Sequence, residues 1–197
     1  MPEPHSSAGG REPIVLRLSD LDDQPDRAAI AAAEINAIFF EASGRTFVDA
    51  ASKDAFHDLW LGQYLRHDRG HVWLAVQPIE GGTAGRVVGY LAGSRANPAQ
   101  DPRFAELPYF AELAEPCRRY PAHLHINLAQ AERGRGIGGR LIAAFSATLR
   151  EAGEPGVHVV TGALARNVSF YRRLGFDEVA RCTWNGRPLA MLVRAFR

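Results

Sequence analysis

The segment that most constrains this chain runs from Pro121 to Phe176. A strand pattern, a glycine-dense turn, an amphipathic helix pattern, a second strand pattern and a helix ending in Tyr171-Arg-Arg-Leu-Gly-Phe176 follow one another. The turn reads Arg133-Gly134-Arg135-Gly136-Ile137-Gly138-Gly139. Glycines let a backbone come close to an anion, the free amides of a helix's first turn point at it, and the helix dipole favours negative charge there. Such a turn suits a phosphate. In the helix that follows, Ile137, Leu141, Ile142, Phe145 and Leu149 form one stripe, with Arg140, Thr148, Arg150 and Glu151 off it, as a helix packed on a sheet requires. The preceding strand alternates strictly, so His123, His125 and Asn127 share one face while Leu124, Ile126 and Leu128 share the other. This puts a row of polar side chains beside the proposed phosphate site.

Taken alone, the turn has competing readings. Gly134 to Gly139 also satisfies G-x-G-x-x-G, the dinucleotide fingerprint, which calls for an acid at the end of the next strand and a long alternating α/β region beyond. Here that strand ends Val159-Val160-Thr161, and little chain remains. A phosphate-binding loop of the G-x-x-x-x-G-K-[ST] type needs a lysine, and the only lysine is Lys53. The third reading is a helix start whose glycines merely permit close packing.

Composition narrows the rest. At 197 residues with 46% apolar content, the chain has the size of one well-buried domain, expected over residues 13–197 after a polar, disordered leader over 1–12. A net charge of +1, from 23 basic and 22 acidic residues, gives no general attraction to nucleic acid or an anionic membrane. Cys117 and Cys182 make neither a disulfide framework nor a zinc site, and no metal is expected. With no signal-peptide core and no apolar run of spanning length, a cytoplasmic location is expected.

Along the chain the patterns predict a strand over 13–19, helices over about 25–41 and 52–67, and strands over 71–77 and 86–94 around a Glu80-Gly81-Gly82 turn. Residues 95–120, with Pro98, Pro102, Pro108 and Pro116, read as a long loop with one helical turn. A strand over 123–130, a helix over 138–152, a strand over 156–161 and a helix over 165–174 come next. Two last strands, 176–184 and 189–195, flank an Asn185-Gly186 hairpin turn.

These residues resemble a known family. Arg133-x-x-Gly136-x-Gly138 is similar to the R/Q-x-x-G-x-G/A signature of the GNAT superfamily of N-acetyltransferases, and Asn167-x-x-x-Tyr171-x-x-x-Gly175-Phe176 resembles the Asn and Tyr-x-x-x-Gly-Phe segment those enzymes carry downstream. The order of elements from Pro13 to Ala195 agrees. More weakly, His123 to Leu128 followed by Pro155-Gly-Val-His158 resembles the acetyltransferase-like domains related to the C-terminal part of O-GlcNAcases. The resemblance implies a mixed α/β fold: a mostly antiparallel central sheet with one splayed parallel strand pair, flanked by about four helices. It also implies acetyl-CoA as cofactor and CoA as product. The diphosphate would lie on the amides of Arg133, Gly134, Arg135, Gly136, Ile137, Gly138 and Gly139. A backbone amide near Leu128 would hold the thioester oxygen, Asn167 would contact the cofactor arm, and Tyr171 would protonate the leaving thiolate.

An amine acceptor must lose a proton before it attacks, and imidazole, with an ordinary pKa of about 6.5, is suited to take it. His125 is the first candidate base and His123 the second; the bland reading gives both, with Asn127, structural hydrogen bonds along a groove. Family acceptor sites correspond to about residues 41–51, 95–120 and 184–187, which offer Phe47, Tyr109, Phe110, Tyr120 and Trp184 near Asp101, Glu106, Glu112 and Glu115. An aromatic, partly acidic mouth suits a small-molecule or peptide amine with an apolar body. Arg135 and Arg140 would reach phosphates, whereas Arg172 and Arg173 read as a solvated face. Two rivals to an acetyltransferase are a binding module of this fold without turnover and an NAD-dependent oxidoreductase. Chains of this kind often dimerise.

Overall fold

The computed structural model of the chain describes residues 12–79 and 85–196. Strands β1 (Ile14–Arg17), β2 (Val72–Pro78), β3 (Gly85–Ser94), β4 (His123–Leu128), β5 (Gly156–Gly162), β6 (Asp177–Trp184) and β7 (Arg187–Ala195) form one sheet in the order β1-β2-β3-β4-β5-β7-β6. Every neighbouring pair is antiparallel except β4 and β5. That parallel pair meets at a single register point, His123 opposite His158, and the two strands then diverge. The mixed α/β architecture with its splayed pair is thus as the resemblance implied.

Helices cover both faces. On one side lie α1 (Pro25–Ser43), α2 (Ala50–His57), α3 (Gln63–His67), α4 (Tyr109–Glu112) and α5 (Ala114–Arg119), packed around Ile35, Phe39, Leu61, Leu74 and Tyr90. On the other lie α6 (Ile137–Glu151) and α7 (Asn167–Arg173), around Leu91, Leu141, Phe145, Val157 and Phe176. The expected stripe on α6 is the buried one, Leu141, Ile142, Phe145 and Leu149 each being fully covered. It packs on the face of β4 that carries Leu124, Ile126 and Leu128. This adds to the sequence reading of the polar row: His123, His125 and Asn127 point away from α6, toward the α1 face.

Two stretches differ from expectation. Residues 52–67 are not one α-helix, because a π-helical turn, Asp58–Gly62, separates α2 from α3. Residues 95–120 hold a 3-10 turn, Pro102–Phe104, together with α4 and α5. Pro102 and Pro116 sit in first turns, where a helix uses no N–H, so they start these elements rather than exclude them. The segment is fastened to β3 and α3 by Arg103, which donates to Asp68 (2.6 Å) and Asp101 (2.7 Å), while the Ser94 hydroxyl donates to Asp68 at 3.1 Å. The Glu80-Gly81-Gly82 turn and the leader up to residue 11 lie outside the described residues. The Asn185-Gly186 turn has both residues at positive φ, 51° and 72°, as a two-residue hairpin needs.

Candidate active site

Where β4 and β5 part, a cleft of about 800 Å³ opens, bounded by Ile126, Asn127 and Leu128 of β4, residues of the glycine turn from Arg133 to Gly139, and α7 with its approach. Gly134 and Gly136 have φ of 80° and 78°, a conformation L side chains rarely adopt, and a Cβ at either would meet nothing within 4 Å. The turn's outer surface is therefore open. Gly136 is the N-cap of α6, no side chain caps the helix, and its first turn carries no acid. The first helical bond runs from the Arg140 N–H to the Gly136 carbonyl, leaving the N–H groups of residues 137–139 without protein partners among the described residues. Arg133, Arg166 and Arg173 line the cleft, and among the described residues no carboxylate does. An exposed set of main-chain donors, backed by a helix dipole and arginines, fits the diphosphate of acetyl-CoA. A diverging strand pair fits its extended arm.

Backbone geometry also sets a donor at Leu128. N–H groups alternate in direction along a strand, and the Ala129 N–H bonds the Val88 carbonyl of β3 at 3.0 Å. The Leu128 N–H consequently points to the opposite edge of β4, where β5 has already diverged. Arg133 braces this strand end, its Nε donating to the Leu128 carbonyl at 3.3 Å.

Tyr171 lines the cleft although the residue is only 3% exposed. Its ring packs on Phe170 and Phe176, with centroids 5.1 and 5.5 Å away. Its hydroxyl has no hydrogen-bond partner among the described residues and is not among the sealed, unpaired polar atoms, so it opens to the cleft. Burial raises its pKa well above the ordinary phenol value. Asn167, also in the lining, shares two hydrogen bonds with the Thr161 hydroxyl, at 2.9 and 3.1 Å.

Other predicted residues lie elsewhere. The Arg135 side chain turns to Glu132 (2.6 Å) and is not in the lining; Arg140 reaches Glu12 at 3.3 Å. Arg173, read from sequence as part of a solvated face, is exposed and also lines the cleft. Arg166, Phe170 and Ala42 were missed; the spacing of Arg166 and Phe170 around Asn167 and Tyr171 is the signal that would have found the first two. His123 and His125 are not in the lining. They sit in an aromatic cluster with Tyr64, Tyr90, Phe104, Phe110 and His158. The Nε2 atoms of His123, His125 and His158 are sealed from solvent without a hydrogen-bond partner. Burial pulls the first two down to about 4 and His158 to about 3, so all are neutral at pH 7. On the expected acceptor side, Tyr109 and Phe110 are buried and anchor their segment to the core. Phe47 and Trp184 are half-buried, in contact with Phe40, Phe56, Trp60 and Tyr109.

Among the described residues no group of side chains suited to a metal ion occurs, and no helix is long and apolar enough to cross a membrane. Comparison with solved structures gives a likeness to SsHAT, with 25% identity, a TM-score of 0.67, and coverage of 94% of this chain and 98% of that one. The NatC complex bound to Gag peptide and CoA shares the fold at 13% identity and a TM-score of 0.57, over 95% and 100% of the two chains. So does the ribosomal-protein-alanine N-acetyltransferase of Brucella melitensis, at 20% identity and a TM-score of 0.54, over 93% and 99%. Residues 68–178, more than half of the chain, match the acetyltransferase (GNAT) domain family. With that match spanning the splayed strands, the glycine turn and Tyr171, the chain belongs to the GNAT family of acetyltransferases, acyl-transferring enzymes whose cofactor is acetyl-CoA.

Proposed function

We propose that the chain, with residues 13–197 as its catalytic unit, moves an acetyl group from acetyl-CoA to a primary amine by direct attack while both are bound. The observation that carries this reading is the continuity of the cleft, from the unpartnered amides of residues 137–139 to the free edge of β4 at Leu128 and the phenol of Tyr171. Acetyl-CoA, when bound, supplies the activated acyl group. The amides from Arg133 to Gly139 hold the diphosphate, with Arg133, Arg166 and Arg173 adding charge. Arg135 contributes its main chain only, since Glu132 engages its side chain. Asn167, braced on Thr161, borders the cofactor arm.

The Leu128 N–H donates to the thioester carbonyl oxygen as charge builds on it, a role in which one well-placed donor is worth about 3 kcal/mol. Tyr171 gives its proton to the departing sulfur, and burial keeps that proton available across physiological pH. His125 and His123 do not line the cleft and their Nε2 atoms are sealed from solvent, so in this reading they pack behind the acceptor site and the amine attacks in its neutral form. Held near 4, each imidazole is unprotonated but weakly basic at neutral pH, so the rate should follow the amine's own ionisation.

Calorimetric titration with acetyl-CoA, CoA and NAD, combined with thiol release over a panel of primary amines, tests the reading. Acetyl-CoA and CoA should bind and at least one amine should be turned over. Preference for NAD would remove the acetyltransferase reading, and binding without turnover would leave a binding module. Gly136→Glu places a carboxylate where the diphosphate belongs and should abolish acetyl-CoA binding; unchanged affinity would refute the phosphate site.

A further inference from the structure

The cleft is lined from both sides of the sheet. Ile126 and Leu128 reach it from the α6 face, together with α6 and α7 themselves, whereas Ala42 of α1 belongs to the opposite face. Asn127 alternates with Ile126 and Leu128 and so also reaches it from the α1 face. The opening between β4 and β5 therefore passes through the sheet, and the end opposite the glycine turn is marked by Asn127 and Ala42.

Asn127 is held in one orientation. Its Nδ2 donates to the Tyr90 hydroxyl oxygen at 2.8 Å, and Tyr90 is fully buried, packed edge-on against His125 at 5.5 Å. Burial raises the Tyr90 pKa, so the partner is a neutral phenol. With Nδ2 engaged, the carboxamide has one group left. Oδ1 accepts no hydrogen bond from any described residue and is not among the sealed polar atoms, so a lone acceptor oxygen faces the cleft one residue before the Leu128 amide. A neutral amine that attacks with its lone pair still carries N–H donors, and a carbonyl oxygen beside the strand is their complement. An ammonium fits the same oxygen less selectively, and a carboxylate or phosphate not at all.

We propose that Asn127, oriented by Tyr90, positions the acceptor amine by accepting one of its N–H bonds, and that Ala42 is small because the acceptor passes it. This rests on the acetyl-transfer reading and names the residues that would hold the second substrate. No proton changes hands at Asn127; its carboxamide acts by geometry, so it is a positioning residue, as is Tyr90 behind it.

The test uses the full chain with phenethylamine, putrescine and an alanyl peptide as probes. Asn127→Leu should raise KM at least tenfold for whichever probe is turned over, and leave the acetyl-CoA Kd within twofold. Asn127→Asp, which keeps an oxygen in place, should restore part of the loss. Tyr90→Phe should raise the amine KM about threefold to fivefold by releasing the carboxamide, while Ala42→Phe should block the amine with acetyl-CoA binding intact. Thermal melts of each variant separate these effects from misfolding. If Asn127→Leu weakens acetyl-CoA instead, or leaves the amine KM unchanged, the assignment fails while acetyl transfer stands. If the unaltered protein binds acetyl-CoA and turns over none of the probes, both readings fall.

Discussion

Tyr171 combines two properties that usually exclude each other, a ring packed into the core and a hydroxyl with no partner among the described residues. A buried tyrosine normally finds a hydrogen bond, because an unpaired polar group in an apolar setting costs about 1–3 kcal/mol. Here the hydroxyl is spared that cost by facing the cleft. Phenylalanine would fill the same space against Phe170 and Phe176, so Tyr171→Phe should leave thermal stability and the acetyl-CoA Kd nearly unchanged. Turnover should fall about 100-fold, the scale on which a positioned acid contributes. Steady-state rates and calorimetry on the same preparation check both halves, and equal rates would show that the hydroxyl is not the acid. The arginines make a parallel point. Arg135 and Arg173 are chemically alike, but Glu132 beside Arg135 supplies a protein anion for it, while the cleft-facing Arg173 has none among the described residues.

At the scale of elements, the phosphate turn depends on how closely α6 approaches α7. A Cβ at Gly138 would lie 2.9 Å from Cζ and 3.2 Å from Cε2 of Phe170, itself a wall of the cleft. Gly138→Ala should therefore displace that ring and cost about 1–3 kcal/mol in urea unfolding, the usual range for overpacking. Acetyl-CoA should bind more weakly in the same variant; wild-type stability together with wild-type affinity would mean that the ring yields freely. Gly138 thus serves the packing role that one reading of the glycine turn gave to the whole motif, while Gly134 and Gly136 do not. Features that follow from local chemistry were legible in the sequence: the α6 stripe, the alternation of β4, and the Asn185-Gly186 turn. Features that depend on distant partners were not. The prolines of residues 95–120 suggested loop because nothing nearby showed that they would stand in first turns, and the π turn at Asp58–Gly62 leaves no mark on the apolar spacing. The direction of the polar row was available but unread, since an apolar stripe on α6 must choose the leucine face of β4.

On the scale of the whole molecule, three imidazoles lie between β4, β5 and the helices of the α1 face, and their protonation is tied to the fold. His158 donates its Nδ1–H to the Tyr120 carbonyl at 2.6 Å, which leaves Nε2 as a lone-pair acceptor with no donor to meet it. Charging such a ring in place would bury a cation, and burial accordingly holds His123 and His125 near 4 and His158 near 3, with the rings opposing one another's charge. The unfolded chain meets no such restraint and takes up protons near the ordinary value of about 6.5. Between about pH 6.5 and 4 the unfolded state therefore binds more protons than the folded one, and stability falls as pH falls. Each excess proton contributes a slope of about 1.4 kcal/mol per pH unit. The carboxylates of Asp68 and Asp101 extend the trend to lower pH. Burial works against their ionisation, but hydrogen bonds from Arg103 to both, with the His71 ring 3.9 Å from Asp68, hold them below the usual carboxylate range. Unfolding midpoints in urea should be level from pH 8 to 7 and decline steadily from 6.5 to 4.5, while proton NMR of the folded chain should show none of the three rings titrating above pH 5. Constant midpoints across that interval, or a ring among the three titrating near 6.5, would mean that water reaches the cluster and that the histidine row is a working surface rather than part of the core.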